Sequence, residues 1–461
     1  MSQTVPPATP PAATMPRWSD WADAPGVKLA LIALLLLAML IPTGLVSSVI
    51  SEREERQEEV RLDIARSWGP AQSVIGPVLV VPWQAYVPVL VPPNAPPERV
   101  TGTIQVVPRS LNAAVRLLPE QRRRGVFGAV VYEADAALDG SFVMPELSVP
   151  GHANAELLWR DAFVVVGGGD LRGASADTAL SWDGAALSGT EDIPMGETCG
   201  HWSVMGWRLR LPAALAPGRT IPFATRFSVR GTQSFYLAPL ARDVALTLDA
   251  PWATPSFTGA SLPARSAVTE DAFHAEWRGG VGVRQAAWAT QGRECGGAIV
   301  AAAGQGSGVD LLEAVPTYRM VNRAAKYATL FLALSFLTYF LFEMLARVRI
   351  HIVQYGLLGL SVSLFGLLLL AVAEPLGFGV AYAIATAAVL AQGSLYTAAV
   401  TRRPRLAALF GAVLAALFGF LYIVLRQESY ALLSGAVALF AILSVVMVVT
   451  NRLDWSGRRA V

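Results

Sequence analysis

The chain carries its long apolar segments in two separate places, and this distribution constrains its fold more than any other feature. Residues 27–50 and 326–450 hold nearly all of the long apolar runs, whereas residues 51–325 read as ordinary soluble protein. Of the 461 residues, 54% are hydrophobic and 15% are charged, against about 25% charged residues in a typical soluble domain. The sequence therefore predicts two membrane regions that flank one globular insertion.

The apolar regions contain enough residues for several membrane-spanning helices. A helix that crosses a bilayer needs about 20 predominantly apolar residues. Six segments meet this requirement, at about residues 27–48, 326–346, 352–372, 376–400, 405–425 and 430–450. Because the number of spans is even, both termini are predicted to lie on the same side of the membrane.

The basic residues predict which side that is. Cytoplasmic segments of membrane proteins are enriched in Lys and Arg. If the N-terminus is cytoplasmic, one residue, Arg426, falls in the short outer turns, and ten fall inside: Arg17, Lys28, Arg347, Arg349, Arg402, Arg403, Arg405, Arg452, Arg458 and Arg459. Both termini are therefore predicted to be cytoplasmic, with residues 51–325 in the periplasm of a Gram-negative cell. A cleaved signal peptide is the less favoured interpretation, since "LVSSVISERE" lacks a clean A-x-A site.

These predictions define a membrane protein of the α plus β class with an N-terminal transmembrane helix, a large β-rich periplasmic domain and a C-terminal five-helix transmembrane bundle. The predicted divisions are a disordered cytoplasmic tail (1–26), transmembrane helix 1 (27–50), a charged extracytoplasmic helix (51–69), a β-rich periplasmic domain (70–325), transmembrane helices 2–6 (326–450) and a cytoplasmic tail (451–461). Pro42 is expected to kink or loosen the first helix near its outer end.

The charged helix has the spacing needed for pairing between side chains on successive turns. The candidate pairs are Glu52 with Arg56, Glu58 with Arg61, and Asp63 with Arg66, beside a thin apolar stripe of Val60, Ile64 and Trp68. A solvated connector is favoured over a coiled-coil stalk or a surface for a partner, because the stripe is short.

The insertion has the alternating pattern of β-strands, with short apolar runs punctuated by Gly and Pro. Alternation is clearest at three groups, which are Trp207, Leu209 and Leu211; Phe223, Phe227 and Val229; and Val244, Leu246 and Leu248. We expect an antiparallel sandwich or barrel-like body, folded as one large domain or as two lobes.

A search for catalytic and ligand-binding patterns finds none that is specific. His152, His201 and His274 do not have a recognised metal-ligand spacing, and the sequence lacks a G-x-S-x-G elbow or a catalytic-cysteine signature. No cofactor is predicted, and the net charge of +2 with scattered arginines argues against nucleic acid. Cys199 and Cys295 suit a disulfide in an oxidising compartment, with two unrelated buried thiols as the alternative.

Ionisable residues within the apolar segments would mark an ion or proton path. The candidates are Glu343, Glu374 and Lys326, and all lie near the ends of predicted spans. We expect Glu343 to pair with Arg347 and favour structural roles for all three. Close helix contact is predicted along two ladders of small residues, at Gly379, Ala383, Ala387 and Ala391 and at Gly411, Ala415 and Gly419.

Long ordered blocks of the sequence resemble one known family. They include "LIPTGLVSSVISEREERQEEVRLDIARSWGPAQSVIGPVLVVPW", "FSVRGTQSFYLAPLARDVALTLDAPWATPSFTGASLP", "VDLLEAVPTYRMVNRAAKYATLFLALSFLTYFLFE" and "ESYALLSGAVALFAILSVVMVVTNRLDW". From about residue 40 to 455 the chain resembles the CreD family of inner-membrane cell envelope integrity proteins. The resemblance implies an association with envelope integrity, with the Cre two-component response, with colicin tolerance and with cell-wall stress. It supplies no established catalytic residues.

Three functions follow from these observations, in order of preference. The first is a non-enzymatic envelope integrity or stress-response protein, whose β domain binds a periplasmic protein, glycan or lipid component while the bundle anchors it among inner-membrane lipids. The second is a transporter or lipid-handling membrane protein gated by the periplasmic domain. The third is an enzyme that acts on envelope polymers, for which the sequence offers no catalytic constellation.

Overall fold

The computed structural model describes residues 25–88, 96–168, 178–188, 203–238, 240–279, 286–292, 306–312, 317–346, 348–427 and 431–451. The chain divides into two compact units. Met1–Arg56 and Val315–Val461 form one of them, which we call the helical unit, and Gln57–Ala314 forms the β unit. Cys199, Cys295, His201 and Arg347 lie outside the described residues, and the disulfide stays a prediction.

In the described residues, six of the seven helices correspond to the six predicted apolar segments. The seven helices are α1 (Pro25–Trp68), α2 (Thr317–Lys326), α3 (Ala328–Ala346), α4 (Ile352–Leu376), α5 (Phe378–Thr401), α6 (Pro404–Arg426) and α7 (Ala431–Thr450). Among the described residues, α1 and α3 to α6 are long and apolar enough to cross a membrane. The described apolar part of α7, Leu433–Val448, is shorter, so five helices rather than six meet the requirement there. The predicted class, a membrane protein with both helices and a β-rich domain, is confirmed.

Helix α1 is longer than the first predicted span. It continues for 44 residues through Pro42 and the charged segment, without a break near residue 50. Pro42 lies inside this helix, and helices in membranes tolerate proline when neighbouring groups satisfy the carbonyl that it frees. The Glu- and Arg-rich continuation consists of good helix formers, so the span and the charged helix are one element.

Helix α2 lies inside the range predicted to be β-rich, residues 70–325. Its buried residues are Tyr318, Val321, Ala324 and Ala325, which follow helical spacing. Lys326 at its end is exposed. The segment is helical because one apolar stripe can be buried while its charged residues face outwards.

The β unit contains two sheets. Its strands are β1 (Gln72–Val87), β2 (Glu98–Val106), β3 (Ser110–Arg124), β4 (Phe127–Val143), β5 (Glu156–Leu157), β6 (Phe163–Gly168), β7 (Ala179–Trp182), β8 (Ala185–Ser188), β9 (Ser203–Arg208), β10 (Thr220–Thr232), β11 (Ser234–Ala238), β12 (Asp243–Ala250), β13 (Pro255–Gly259), β14 (Arg265–Val268), β15 (Phe273–Arg278), β16 (Ala287–Gln291) and β17 (Ser307–Leu311). The eight-stranded sheet has the order β14-β15-β12-β3-β4-β10-β7-β8. The nine-stranded sheet has the order β13-β17-β11-β1-β2-β16, with β5 and β6 also paired to β1 and β9 paired to β6.

The sheets are mixed, whereas the sequence predicted an antiparallel body. Strands β1 and β11 are parallel, and so are β3 and β12. The first of these pairs arises where the chain leaves β10 in one sheet and enters β11 in the other. Gln233 joins the two strands with a φ of 63°. A residue in the left-handed region turns the chain sharply, and this turn has no simple alternation signal.

One hydrophobic core joins the two sheets. It includes Val74 and Leu79 of β1 together with Leu111 and Val115 of β3. The predicted inward positions are buried in all three groups, for example Trp207, Phe227 and Leu246. The body is therefore one sandwich-like domain, and not two lobes.

The apolar stripe at the end of α1 packs against the β unit's own surface. Ile64 is buried with Ala129 and Val131 of β4, and Val60 and Trp68 pack beside them. Because these side chains are covered within the unit, the stripe is not a free coiled-coil surface.

The charged side chains and the aromatic ring at this end of α1 also make contacts within the β unit. Asp63 pairs with Arg124 of β3 instead of Arg66, whereas Arg61 pairs with Glu58 as predicted. The Trp68 ring lies 3.7 Å from the Arg122 guanidinium and 4.6 Å from that of Arg230. Cations over an aromatic face are attracted by its quadrupole, so both sheet arginines hold the helix end.

The small-residue ladder predicted in α5 does not form its buried face. Gly379, Ala383, Ala387 and Ala391 are exposed, and the prediction of close contact along them is wrong. The buried face instead carries Tyr382, whose hydroxyl donates to the carbonyl of Phe418 at 2.6 Å, and Gly393, which lies against Phe410 and Leu414. A large aromatic side chain whose buried hydroxyl is hydrogen-bonded, such as Tyr382, therefore determines which face of α5 is buried.

Candidate functional site

The helical unit contains a charged group that joins its first and later helices. Lys28 of α1 pairs with Glu343 of α3, and the Lys28 Nζ also donates to the carbonyl of Ile350 at 2.7 Å. The hydroxyl of Tyr355 in α4 donates to the second carboxylate oxygen of Glu343 at 3.3 Å. We call Lys28, Glu343 and Tyr355 the Lys28 cluster. Their mutual bonds compensate for removing charges from water.

Neutral hydroxyl groups extend this cluster. The rings of Tyr355 and Tyr339 meet edge to face at 5.5 Å. Tyr339 and Thr397 form a hydroxyl–hydroxyl hydrogen bond of 2.7 Å, and Thr397 donates to the carbonyl of Gly393 at 2.7 Å. These groups connect α3, α4 and α5 without adding a further charge.

A second charged group lies at the other end of α4. Glu374 accepts a hydrogen bond of 3.1 Å from the hydroxyl of Tyr318 in α2, and its carboxylate is 4.0 Å from Arg53 Nε of α1. Asn322 of α2 donates to Glu54 at 3.1 Å. Burial, and then the Glu374 carboxylate, raise the pKa of Tyr318, which keeps that hydroxyl protonated as a donor. We call Glu374, Tyr318 and Arg53 the Glu374 cluster.

The stretch between the two clusters is uncharged. Tyr355 and Glu374 are separated by 19 positions of α4, or about 28 Å at 1.5 Å per residue. Between them Ser361 donates to Gln392 at 2.8 Å, and Ser363 lies 3.4 Å from the Thr43 hydroxyl. Lys28, Glu343 and Glu374 each lie near an end of their helices α1, α3 and α4. The arrangement holds the helices together but does not form a chain of charges through them.

The structure shows where the three predicted membrane residues lie, whereas the predicted pairing of Glu343 with Arg347 lies outside the described residues. Glu343 pairs with Lys28, which sequence reasoning missed because the two residues are far apart in the chain. Glu374 contacts α1 and α2. Lys326 is exposed at the end of α2.

In the β unit, a histidine lies between two carboxylates on the eight-stranded sheet. His274 Nδ1 is 2.7 Å from Asp249 and its Nε2 is 3.3 Å from Glu276. The Asp249 carboxylate, followed by Glu276, raises the pKa of His274, and the contact with His274 lowers the pKa of Glu276. The His274 side chain is 44% exposed.

This histidine belongs to a row of alternating charges across four neighbouring strands. Asp135 of β4 lies opposite Arg116 of β3, Arg116 opposite Asp249 of β12, and Asp249 opposite His274 of β15. Directly opposed side chains of unlike charge stabilise a sheet. Asp135 and Arg116 are exposed. We call Asp135, Arg116, Asp249 and His274 the charged row.

The charged row lacks the features of a catalytic or metal site. Both ring nitrogens of His274 are bonded to carboxylates, which leaves neither nitrogen free to activate a nucleophile. No group of three His, Cys, Asp or Glu side chains in the described part of the chain could hold a metal ion. His152 lies apart from the row, with its ring 5.3 Å from that of Trp83. The row has the charges needed to contact a charged surface. The alternation of apolar and polar residues in the sequence could have indicated the strands of the row but not their register.

Comparisons with known proteins identify the family. Residues 24–456 match the family described as Inner membrane protein CreD. Inner membrane protein CreD of Escherichia coli strain K12 is 31% identical over 437 residues, which cover 91% of each chain. A solved structure of a putative nutrient binding protein from Legionella pneumophila is 9% identical and covers 47% of this chain and 72% of its own, but its TM-score of 0.22 carries no argument. Because the family match and the similarity to the Escherichia coli protein both extend over nearly the full length, this chain belongs to the CreD family of inner membrane proteins.

Proposed function

We propose that this chain is a non-enzymatic protein of cell envelope integrity, whose β unit binds an envelope component through the charged row while the helical unit anchors it in the inner membrane. The observation that carries the proposal is the alternation of charge across four strands on an exposed sheet surface. Surfaces with both signs of charge gain specificity from complementary partners. Most protein surfaces carry both signs, which favours a periplasmic protein over a glycan or a lipid.

The proposed orientation places both termini in the cytoplasm and residues 51–325 in the periplasm. It is supported by the excess of Lys and Arg in the segments assigned to the cytoplasm, ten residues against one. A reporter that is active only in the periplasm tests it. We expect activity when the reporter is fused after Glu156 and no activity after Arg402, and the reverse result would refute the orientation.

The helical unit is proposed to be an anchor because its buried charges serve to hold helices together. Lys28 and Glu343 are paired, and Glu374 bonds to Tyr318. About 28 Å of α4 without charge separates the two clusters. A gated transporter predicts that Glu343→Gln and Glu374→Gln abolish function in protein that still inserts and folds. An anchor predicts instead that any loss of function follows loss of stability.

The envelope role is tested by neutralising the charged row in the full chain. We expect Arg116→Gln, Asp249→Asn and His274→Gln together to reduce the survival of cells under cell-wall stress to that of cells without the protein. The matched control is Glu98→Gln with Arg99→Gln, which removes two exposed charges from the nine-stranded sheet. Equal amounts of protein in the membrane exclude misfolding. Full survival with the neutralised row would refute the proposal.

A further inference from the structure

An apolar groove in the helical unit is lined by three of its helices. Helices α3, α6 and α7 form its walls, and its volume of about 660 Å³ is within the range of about 300–1,000 Å³ that is typical of small-molecule sites. The lining of the groove on α6 consists of Leu406, Leu409, Val413 and Leu417. Thr338, the one polar residue among the described lining residues, donates its hydroxyl to the carbonyl of Leu334 and presents no free donor.

The groove opens to the surface of the helical unit. Leu345, Leu409 and Val445 each contribute to its lining, and they are 51%, 52% and 62% exposed. In a protein whose helices span a membrane, such a surface faces hydrocarbon chains rather than water. An acyl chain therefore fits the shape and the polarity of the groove.

One end of the groove is cationic. The guanidinium of Arg403 donates to the carbonyl of Ala346 at 2.9 Å, and Ala346 lines the groove. Arg405 is exposed and precedes Leu409 by one helical turn, which places it on the same face of α6. An acidic residue of α3 near this end, Glu343, is already paired with Lys28.

We infer that the groove binds an anionic glycerophospholipid, with an acyl chain between α3, α6 and α7 and the phosphate-containing headgroup at Arg403 and Arg405. Arginine presents several donors that match phosphate oxygens, and basic pockets between membrane helices recognise anionic lipid headgroups. This site is separate from the charged row, and the inference does not depend on the proposed function.

The test is native mass spectrometry of the delipidated full chain with phosphatidylglycerol or phosphatidylcholine of identical acyl chains. We expect the native protein to prefer phosphatidylglycerol. Arg403→Gln and Arg405→Gln should each weaken its binding about fivefold, and together they should remove the preference. Val413→Trp should fill the groove and weaken binding of both lipids.

Matched controls lie on the same helix. Arg426→Gln removes the basic residue at the opposite end of α6, and Ile423→Trp adds bulk at an exposed position outside the groove lining. Both should bind like the native protein. Arg405→Gln alone leaves the bond between Arg403 and Ala346 in place, so it tests the headgroup contact even if the Arg403 variant fails to fold. Equal binding of the two lipids by the native chain, or a preference that survives the double substitution, would overturn the inference.

Discussion

Lys28 and Glu343 form an ion pair between the first helix and the second predicted span, although 315 positions separate them in the sequence. Their side chains are 13% and 16% exposed. Tyr355 bonds to the same carboxylate. The pair therefore joins the two chain segments of the helical unit, Met1–Arg56 and Val315–Val461.

Loss of either partner should destabilise the helical unit. Glu343→Gln or Lys28→Met leaves one largely buried charge without its counter-ion, and we expect a cost of about 1–3 kcal/mol. Thermal unfolding of the purified chain in detergent measures this cost. Replacing both residues by apolar ones should cost less than the sum of the single changes. Substitution of Arg349, which is exposed, provides the control. If the costs of the two single changes add up in the double variant, the pair contributes nothing to stability.

Gly359 permits close packing between α4 and its neighbours. A Cβ at this position would lie 2.7 Å from the Phe336 ring and 3.2 Å from Met39 Cγ. Gly359→Ala should therefore reduce thermal stability, by about 1–3 kcal/mol for an overpacked contact. The control is Gly356→Ala, where the nearest atom is 3.9 Å away, in Leu35. Equal effects of the two substitutions would contradict tight packing at Gly359.

Trp68 holds the end of α1 on the β unit. Its indole N–H donates to the carbonyl of Tyr132 at 3.2 Å, and its ring contacts Arg122 and Arg230. We expect Trp68→Ala to cost about 3 kcal/mol, since it removes a large packed side chain. Urea unfolding, monitored by circular dichroism, measures the change in the free energy of unfolding. Leu62→Ala, at a 44% exposed position of the same helix, should have little effect, and a similarly small effect of Trp68→Ala would disprove the role of the ring.

The charged row should respond to pH through His274. Because Asp249 and Glu276 raise the pKa of His274, the protonated ring stabilises the folded β unit. This stabilisation is complete below the unfolded pKa of about 6.5 and is lost as pH rises through the higher folded pKa. The measurement is an NMR titration of the His274 ring protons. Asp249→Asn should lower the pKa of His274, whereas Asp139→Asn, on the same sheet, should not. A native pKa at or below 6.5 would contradict the ion pair.

The sequence predicted the local features of this protein and missed the long-range ones. Apolar length identifies a spanning helix because the bilayer demands it, and strict alternation identified buried positions such as Phe227 and Leu246. The parallel pairing of β1 with β11 depends on a turn at Gln233, which alternation does not encode. Likewise, the pairing of Glu343 with Lys28 joins residues that are distant in the chain, and no local spacing indicates it.

The candidate site was harder to predict than the fold. The members of the charged row come from four strands and meet only through sheet register. A shift of one residue in any strand would move its side chain to the other face. Sequence reasoning could therefore name His274 but could not place Arg116 or Asp249 beside it.

The most direct test of the central claim is photo-crosslinking in intact cells from a position beside the charged row. Ala267 of β14 is exposed and lies opposite His274, so a photoreactive residue there should capture a specific envelope component, and Thr101 on the nine-stranded sheet should not. We predict that the Ala267 crosslink disappears when Arg116, Asp249 and His274 are neutralised. A crosslink that is unchanged by this substitution, or that is equally strong from Thr101, would contradict binding through the charged row.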